Sequence, residues 1–343
     1  MEKETTIGNT PRFSTDAGGG GFQEVWYLKL NDVQNARALW LRYTILIRRD
    51  KSREIAEVWA VFSEHRENRT HKRALKQTYP LSAFSTVPGC PEKFGGLRIA
   101  ENYLGEDRTT GNLFDGITRI AWELEITPGG AGGHDFVPDR LRRSGLVKNL
   151  AVTVFEQQQY TGWCEVNGQR YGFTSAPGMQ GHLAGPKNGH SWAWGHCNCF
   201  VDDTGAPAPV IWDGLSARAR IGCLVPPALT SMFIQIGMES VVLNTVTDAF
   251  RFQSRYGFDG WYFTTKKNGY RFEGNLTARL DDFACVTYED TDGSHLYCHN
   301  TKQAAMTLTV TSPDGRQVSY ATSGAAAYEV VTREPHPDIP VVL

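Results

Sequence analysis

The sequence predicts an all-β protein made of two consecutive antiparallel β-barrel or sandwich domains, and three patterns support this fold class. Polarity alternates along much of the chain: in ITRIAWELEI, residues 117–126, the residues Ile120, Trp122, Leu124 and Ile126 share one face. Asn-Gly pairs at 167–168 and 268–269 predict tight hairpin turns, since both turn positions need positive φ. A weak echo between residues 160–173 and 256–274 suggests that one unit is duplicated.

The individual elements follow from short alternating runs separated by turn residues. Further strand candidates are WLRYTILI (40–47), IAEVWAVF (55–62), SMFIQIGM (231–238) and MTLTVTSPDG (306–315). Helical periodicity is confined to short stretches near 137–145 and 226–231. The proline-rich DDTGAPAP (202–209) marks a boundary between halves. We therefore predict an N-terminal tail (1–20), two domains (21–203 and 204–334) and a C-terminal tail (335–343), with both tails loosely attached.

Composition excludes several classes of function. The chain has 343 residues and a net charge of −2, so no overall field favours nucleic acid or an anionic membrane. The basic run at 69–76 is expected to be a solvated loop or an edge strand. No apolar run approaches the ~18 residues of a transmembrane segment, and no signal-peptide core precedes residue 20. Seven scattered cysteines indicate reduced thiols, so we expect a cytoplasmic protein.

The most unusual segment is HSWAWGHCNCF, residues 190–200. On a strand, alternate side chains point to opposite faces. One face then carries the large or polar groups His190, Trp192, Trp194, His196, Asn198 and Phe200. The other carries Ser191, Ala193, Gly195, Cys197 and Cys199. The large face suits the wall of a ligand cavity, with an aromatic core as the alternative.

A metal site is a weaker interpretation of the same segment. His196 and Cys197 point to opposite faces of a strand, and the spacing of Cys197, Cys199 and Cys298 matches no common zinc motif. Phosphate-loop, dinucleotide-binding and nucleophile-elbow motifs are missing from the sequence. We therefore predict no metal and no cofactor, which leaves acid–base groups in an apolar pocket to perform any chemistry.

Several of these runs together resemble a known family. FQEVWYLKL (22–30), GMQGH (178–182), WAWGHCNCF (192–200) and GLSARARIG (214–222) are similar to the carotenoid 1,2-hydratases, AttH and the tocopherol cyclases. The C-terminal YEDTDGSHLYCHNT resembles the AttH-type end of that family, and the resemblance covers roughly residues 20 to 320. It implies two lipocalin-like (calycin) barrels and cofactor-free hydration, cyclisation or isomerisation of hydrophobic isoprenoid or polyketide substrates, as in the related fungal Diels–Alderases.

Such chemistry needs a proton donor in a dry pocket and aromatic faces that stabilise positive charge. Asp213, in VIWDGLSAR, and His196 are the catalytic candidates, although Asp213 also suits an ordinary turn before glycine. Trp192 and Trp194 are expected to contact substrate, with Asn198 orienting it. Further candidates for substrate contact are His190, His182, Glu24, Trp26, Trp59 and Glu239.

Each of the weaker candidates has an ordinary structural alternative. Glu24 and Glu239 suit a salt bridge or a wet face, and His182 suits a loop. Three functions stay open: a cofactor-independent lyase or isomerase for a hydrophobic small molecule, a non-catalytic calycin-type carrier, and a metalloprotein using the cysteines. The first is favoured because acidic, imidazole and indole groups occur together in apolar strands.

Overall fold

The computed structural model describes residues 8–13, 20–89, 94–130, 132–145, 147–220 and 222–343. Almost every element is a β-strand, and the strands form two antiparallel sheets that follow one another in the chain. The predicted all-β fold class with two consecutive units is confirmed.

The first sheet runs in the order β4-β3-β2-β1-β12-β11-β9-β8-β7-β6-β5, with β10 paired to β11. Its strands are β1 (Phe22–Asp32), β2 (Arg37–Ile47), β3 (Glu54–Arg66), β4 (Arg69–Pro80), β5 (Phe84–Thr86), β6 (Leu97–Ile99), β7 (Asn102–Leu104), β8 (Arg108–Phe114), β9 (Arg119–Pro128), β10 (Gly132–Asp135), β11 (Leu150–Val166) and β12 (Gln169–Gly185). A 3-10 turn (Leu81–Ala83) and helix α1 (Asp139–Arg143) interrupt them. The basic run lies on the edge strand β4, as predicted.

The second sheet runs in the order β16-β15-β14-β13-β22-β21-β19-β18-β17, with β20 paired to β21. Its strands are β13 (Ser191–Cys197), β14 (Val210–Arg218), β15 (Leu229–Ile236), β16 (Glu239–Leu243), β17 (Gln253–Gly257), β18 (Gly260–Lys267), β19 (Tyr270–Thr277), β20 (Ala284–Glu289), β21 (His295–Thr311) and β22 (Gln317–Thr332). Helix α2 (Val246–Ala249) and a 3-10 turn (Leu280–Asp282) complete it. The prediction of a helix near 226–231 is wrong, because strand β15 begins at Leu229.

The two sheets share one topology, in which β1–β4 correspond to β13–β16, β7–β9 to β17–β19 and the hairpin β11–β12 to β21–β22, whereas β5 and β6 have no counterpart in the second sheet. The sequence echo does not follow this correspondence. The echo aligns the hairpin β11–β12 with the hairpin β18–β19. In the topology, however, β18–β19 occupies the position of β8–β9. The echo therefore reflects shared hairpin chemistry: both Asn-Gly turns have positive φ at each position, as predicted.

Strand β1 shows how the sheets meet. Its even residues Trp26, Leu28 and Leu30 pack into the core of the first sheet. Its odd residues Val25 and Tyr27 pack against the second sheet. Because both faces are covered, the strand is almost continuously buried. The candidate active-site cluster described below occupies the layer between the sheets.

The chain passes from the first sheet to the second between Gly185 and Ser191. The proline-rich segment 202–209 is therefore a connection within the second sheet, downstream of this passage. The division into domains at 203 and 204 stays a prediction.

The expectation of loosely attached tails is wrong for their described parts. Backbone amides of Arg12 and Phe13 bond to Glu24, at 2.7 and 2.9 Å. At the other end, Ile339 is buried and Val342 bonds to Cys285 at 2.8 Å. Both tails complete the packing of the strands that they cross.

No helix in the described ranges is long and apolar enough to cross a membrane.

Candidate active site

The predicted alternation of large and small side chains along residues 191–197 is present in β13. Ala193 and Cys197 face the core of the second sheet. Gly195 allows the close packing there, because a Cβ on it would lie 2.7 Å from the Trp212 ring. Trp194 faces the first sheet, against Tyr27. Phe200 lies beyond the end of the strand and returns to the second core, so its predicted place on the large face is wrong.

Asp213 and His196 lie directly opposite each other on the paired strands β14 and β13. Both are fully buried and face the first sheet. Asp213 Oδ1 accepts a hydrogen bond from Trp194 Nε1 at 3.0 Å, and its Oδ2 accepts one from Thr153 Oγ1 at 2.5 Å. The aspartate is therefore held between the sheets and is not in a turn.

A second carboxyl group, that of Glu156 on β11, meets Asp213 in this layer. One ring nitrogen of His134 and one carboxyl oxygen each of Glu156 and Asp213 lie within 4.8 Å of one another. His134 Nδ1 is 2.5 Å from Glu156 Oε1. His196 Nε2 donates to the Glu156 carbonyl at 3.1 Å and lies 3.6 Å from its Oε2. We call His134, Glu156, His196 and Asp213 the interfacial cluster.

Two backbone features bring Glu156 and His134 to this position. Pairing of β11 with β12 shifts register between Thr153 and Phe155 and again between Phe155 and Gln158. These bulges break the alternation, so Thr153 and Glu156 both reach the interfacial cluster although they are three residues apart. Gly133 lets β10 approach β11, because a Cβ there would lie 2.0 Å from the Thr153 carbonyl oxygen.

Burial controls the protonation of the interfacial cluster. It raises the pKa of Glu156 well above the usual carboxyl range. Burial, followed by the charge of Glu156, raises the pKa of Asp213 in the same direction. Burial lowers the pKa of His134, and burial followed by the Lys29 charge lowers that of His196. The cluster therefore favours neutral imidazoles and at least one neutral carboxyl group.

The separation of His134 Nδ1 and Glu156 Oε1 argues against a common metal ion. At ligand distances of about 2.0–2.2 Å, two ligands of one ion lie about 3 Å or more apart. The observed 2.5 Å is a hydrogen-bond distance. The arrangement is that of groups that share protons.

A cavity of about 60 Å³ lies between the sheets beside the interfacial cluster. Its aromatic and charged lining includes Tyr27, Trp40, Arg42, Trp192, Trp194 and Tyr288. Trp194 connects cavity and cluster, because its ring forms part of the wall while its Nε1 bonds to Asp213. The volume holds only a few water molecules, so a larger ligand requires side-chain movement. Leu183, Trp192 and Leu215 are the half-buried wall residues where such movement is easiest.

Comparison with known proteins places this architecture in a family. A family model described as tocopherol cyclase-like matches residues 108–332, which are 225 of the 343 residues. The chain belongs to the tocopherol cyclase-like family. The resemblance noted in the sequence is thereby confirmed.

Two solved structures extend the comparison. The protein is similar to a structure described as AttH from Nitrosomonas europaea, with a TM-score of 0.52 and 11% identity over 91% of this chain and 92% of that one. This likeness shows the lipocalin-like fold that was predicted. A crystal structure of kievitone hydratase from Nectria haematococca has a TM-score of 0.48 and 11% identity, covering 90% of this chain and 88% of that one. No curated protein matches the chain.

Two other predicted residues of this tocopherol cyclase-like protein, Asn198 and Trp59, lie in the same layer, and a third, His190, lies outside the cavity. Asn198 donates to the carbonyls of Glu156, at 3.3 Å, and Gly178, at 2.8 Å, so it ties the sheets together. Trp59 packs edge-on against Tyr288 behind the cavity wall. His190 is half-buried just before β13 and does not line the cavity.

The structure places Glu24, Trp26 and His182 inside the first sheet, away from the interfacial cluster. His182 lies on β12, so the loop predicted for it is wrong. Its Nε2 bonds to Glu24 Oε1 at 2.8 Å and its Nδ1 to the Gly8 carbonyl at 2.8 Å. Trp26 stacks on His182 and donates to the Asn9 carbonyl at 2.9 Å. This second polar group anchors the N-terminal segment.

The remaining candidates are dispersed. Glu239 is exposed at the rim of the second sheet, where it accepts a hydrogen bond from Tyr270. Cys197 faces the core of the second sheet, whereas Cys298 belongs to the packing between the sheets. The thiols of Cys197 and Cys298 therefore do not meet at one point, as a cysteine metal site requires.

Sequence reasoning missed Glu156, His134, Tyr27 and Arg42. Glu156 is a single carboxylate in the apolar run LAVTVFE (150–156), and that was an available signal. His134 follows a glycine-rich stretch that indicates a loop. Strict alternation would have placed Glu156 on the face opposite Thr153.

Proposed function

We propose that this protein is an enzyme of the hydratase or cyclase type that protonates a hydrophobic small molecule bound between the two sheets. Membership of the tocopherol cyclase-like family supports this reaction type. The observation that carries the proposal is the position of Asp213. It shares a hydrogen bond with Trp194, a wall residue of the aromatic cavity, and burial beside Glu156 raises its pKa.

The proposed step is a proton transfer from the neutral Asp213 carboxyl group to an alkene or conjugated carbonyl of the substrate. The carboxyl group becomes a carboxylate and the substrate becomes a carbocation, or a cationic protonated carbonyl if the carbonyl oxygen accepts the proton. Water then adds, or a hydroxyl group or alkene of the same molecule closes a ring. A proton leaves the product and returns to Asp213, so atoms and charges balance without a cofactor.

The surrounding groups suit this step. The indole faces of Trp40 and Trp194 stabilise a developing cation, at roughly 0.5–2 kcal/mol each. Glu156 disfavours ionisation of Asp213 by charge repulsion, which keeps it an acid near neutral pH. The neutral His196 donates to the Glu156 backbone, so we assign it a positioning role with His134.

The apolar lining favours an isoprenoid or polyketide substrate. Six cysteines of the described chain are free, which supports an intracellular, cytoplasmic setting. A non-catalytic carrier is the alternative, and the experiment below separates the two.

The test is turnover of a panel of polyenes and prenylated phenols, followed by chromatography and mass spectrometry. Hydration adds one water mass, whereas cyclisation and isomerisation change retention alone. We expect Asp213→Asn to abolish turnover and His196→Ala to reduce it severely, with folding verified by circular dichroism. Asp202→Asn, in a partly exposed turn, is the matched control.

Two results would contradict the proposal. Full turnover by both Asp213→Asn and Glu156→Gln would remove the acid from the mechanism. Ligands that quench tryptophan fluorescence yet return unchanged after long incubation with the wild type would indicate a carrier.

A further inference from the structure

Arg42 on β2 is a buried cation that has no carboxylate partner among the described residues. Its side chain lines the cavity between the sheets and is 6% exposed. Its one hydrogen bond to a described residue runs from Nε to Thr44 Oγ1, at 2.9 Å. A buried charge without a counter-ion is energetically unfavourable, so this arrangement calls for an explanation.

Two other cations between the sheets have acidic partners, whereas the buried Lys29 bonds to the amide oxygens of Asn31 and Asn198. Arg48 pairs with Glu289 at 2.6 Å, and Lys302 pairs with Glu329 at 2.9 Å. Glu329 also lines the cavity, but the structure assigns its charge to Lys302. Arg42 differs from both cations because no carboxylate of the described chain lies within ion-pair distance.

The other acidic groups near Arg42 stay neutral. Burial raises the pKa of Tyr288 and of Tyr27 above the usual phenol value. Burial also raises the pKa of the Cys298 thiol. None of these side chains supplies an anion to Arg42 near neutral pH.

Aromatic stacking orients the guanidinium for a ligand. Its carbon lies 3.8 Å from the centroid of Tyr288 and 5.4 Å from that of Trp59. Stacking occupies the faces of the guanidinium and leaves its edge N–H groups able to donate in the plane. Two parallel N–H groups match the two oxygens of a carboxylate or of an enolate conjugated with a carbonyl.

We infer that Arg42 binds a planar, singly charged oxyanion of the substrate, a carboxylate or a conjugated enolate, while the aromatic walls bind its apolar body. Glu329 in the same cavity would repel a phosphate dianion, and Arg42 is the one cation among the described residues that line the cavity. This inference rests on the proposed function only in placing the substrate in this cavity.

The test measures binding without turnover, using probes that share a two-ring body. 2-Naphthoate carries a carboxylate, and 2-naphthalenemethanol is its neutral match. 2-Hydroxy-1,4-naphthoquinone is an enolate at neutral pH, and its 2-methoxy derivative is the neutral match. Calorimetric titration of the full chain gives Kd for each.

We expect the wild type to bind at least one anion more tightly than its neutral match. The pair that shows the preference identifies the ligand as carboxylate or enolate. Arg42→Gln should weaken binding of that anion about 10- to 100-fold and leave its neutral match unchanged. Lys76→Gln, which removes the cation over the outer side of Trp59, should preserve the preference.

Arg42→Lys keeps the positive charge and serves if the glutamine variant does not fold. It should retain a reduced preference for the anion, because a lysine lacks the paired planar donors. Equal affinity of the wild type for both members of each pair, or an unchanged preference in Arg42→Gln, would overturn the inference. The binding measurements do not involve proton transfer from Asp213. They can therefore fail or succeed whether or not the protein protonates its substrate.

Discussion

Gly133 holds the interfacial cluster together by leaving space for two backbones to meet. A Cβ at this position would lie 2.0 Å from the Thr153 carbonyl oxygen and 2.5 Å from that of Val154. Such contacts are not seen below 3.0 Å, so Gly133→Ala must move β10 away from β11 by about 1 Å. The obstacles are backbone atoms, so no side chain can rotate away to relieve the clash.

The expected destabilisation follows from the contacts that this movement disrupts. A shift of about 1 Å lengthens the 2.5 Å contact of His134 with Glu156 to the limit of a hydrogen bond. Loss of one buried hydrogen bond costs about 1–3 kcal/mol, and overpacking adds about 1–3 kcal/mol. Gly133→Ala should therefore lower the free energy of unfolding by about 2–6 kcal/mol.

Urea unfolding followed by tryptophan fluorescence measures this change. The control is Gly132→Ala, because a Cβ at that neighbouring position meets nothing within 4 Å. We expect the control to stay within about 0.5 kcal/mol of the wild type. If Gly133→Ala unfolds at the same urea concentration and slope as Gly132→Ala, the packing of β10 on β11 is not as described.

Three further predictions concern buried polar groups. Burial raises the pKa of Asp213 in the folded protein above its value of about 4 in the unfolded chain. The stabilising contribution of this carboxyl group is therefore fully present below about pH 4 and is lost as pH rises through the pKa of the folded state. The wild type should therefore lose stability relative to Asp213→Asn as pH increases, measured by urea unfolding across pH. Trp194→Phe removes a hydrogen bond worth about 1.5–3 kcal/mol to the Asp213 carboxylate, so this pH-dependent loss should move to higher pH. His182→Gln breaks the buried pair with Glu24 and should destabilise the protein by about 3–5 kcal/mol, measured by thermal and urea unfolding.

Each of these variants has a control elsewhere in the chain. Asp202→Asn, in a partly exposed turn, is the opposite case: the Thr204 hydroxyl lowers the pKa of Asp202, so its stabilising contribution is lost only as pH falls below about 4. A trend equal to that of Asp213→Asn as pH rises would remove Asp213 as the cause. Trp40→Phe deletes an indole N–H that has no partner among the described residues, so it should not move the transition. His295→Gln, on the surface, should be nearly neutral, and equal losses in both histidine variants would contradict the role of the pair.

The sequence determined the fold class and one wall of the site. Alternation of polarity and the Asn-Gly turns depend on local backbone geometry, which is why strands and hairpins were predicted correctly. The same alternation placed Trp192, Trp194 and His196 on one face. Asp213 could not be separated from a turn residue until β14 was seen to pair with β13.

Only the tertiary structure decided which residues face Trp194 and His196 from the first sheet. The bulges in β11 changed the direction of Glu156, and the contact of β10 with β11 at Gly133 brought in His134. Trp26 and His182 share a sheet with Tyr27 and Arg42, yet the first two point into the first core and the others towards the second sheet. A strand buried on both faces has no polar side to reveal its orientation, so the packing of the two sheets on each other assigns each residue to a core or to the site.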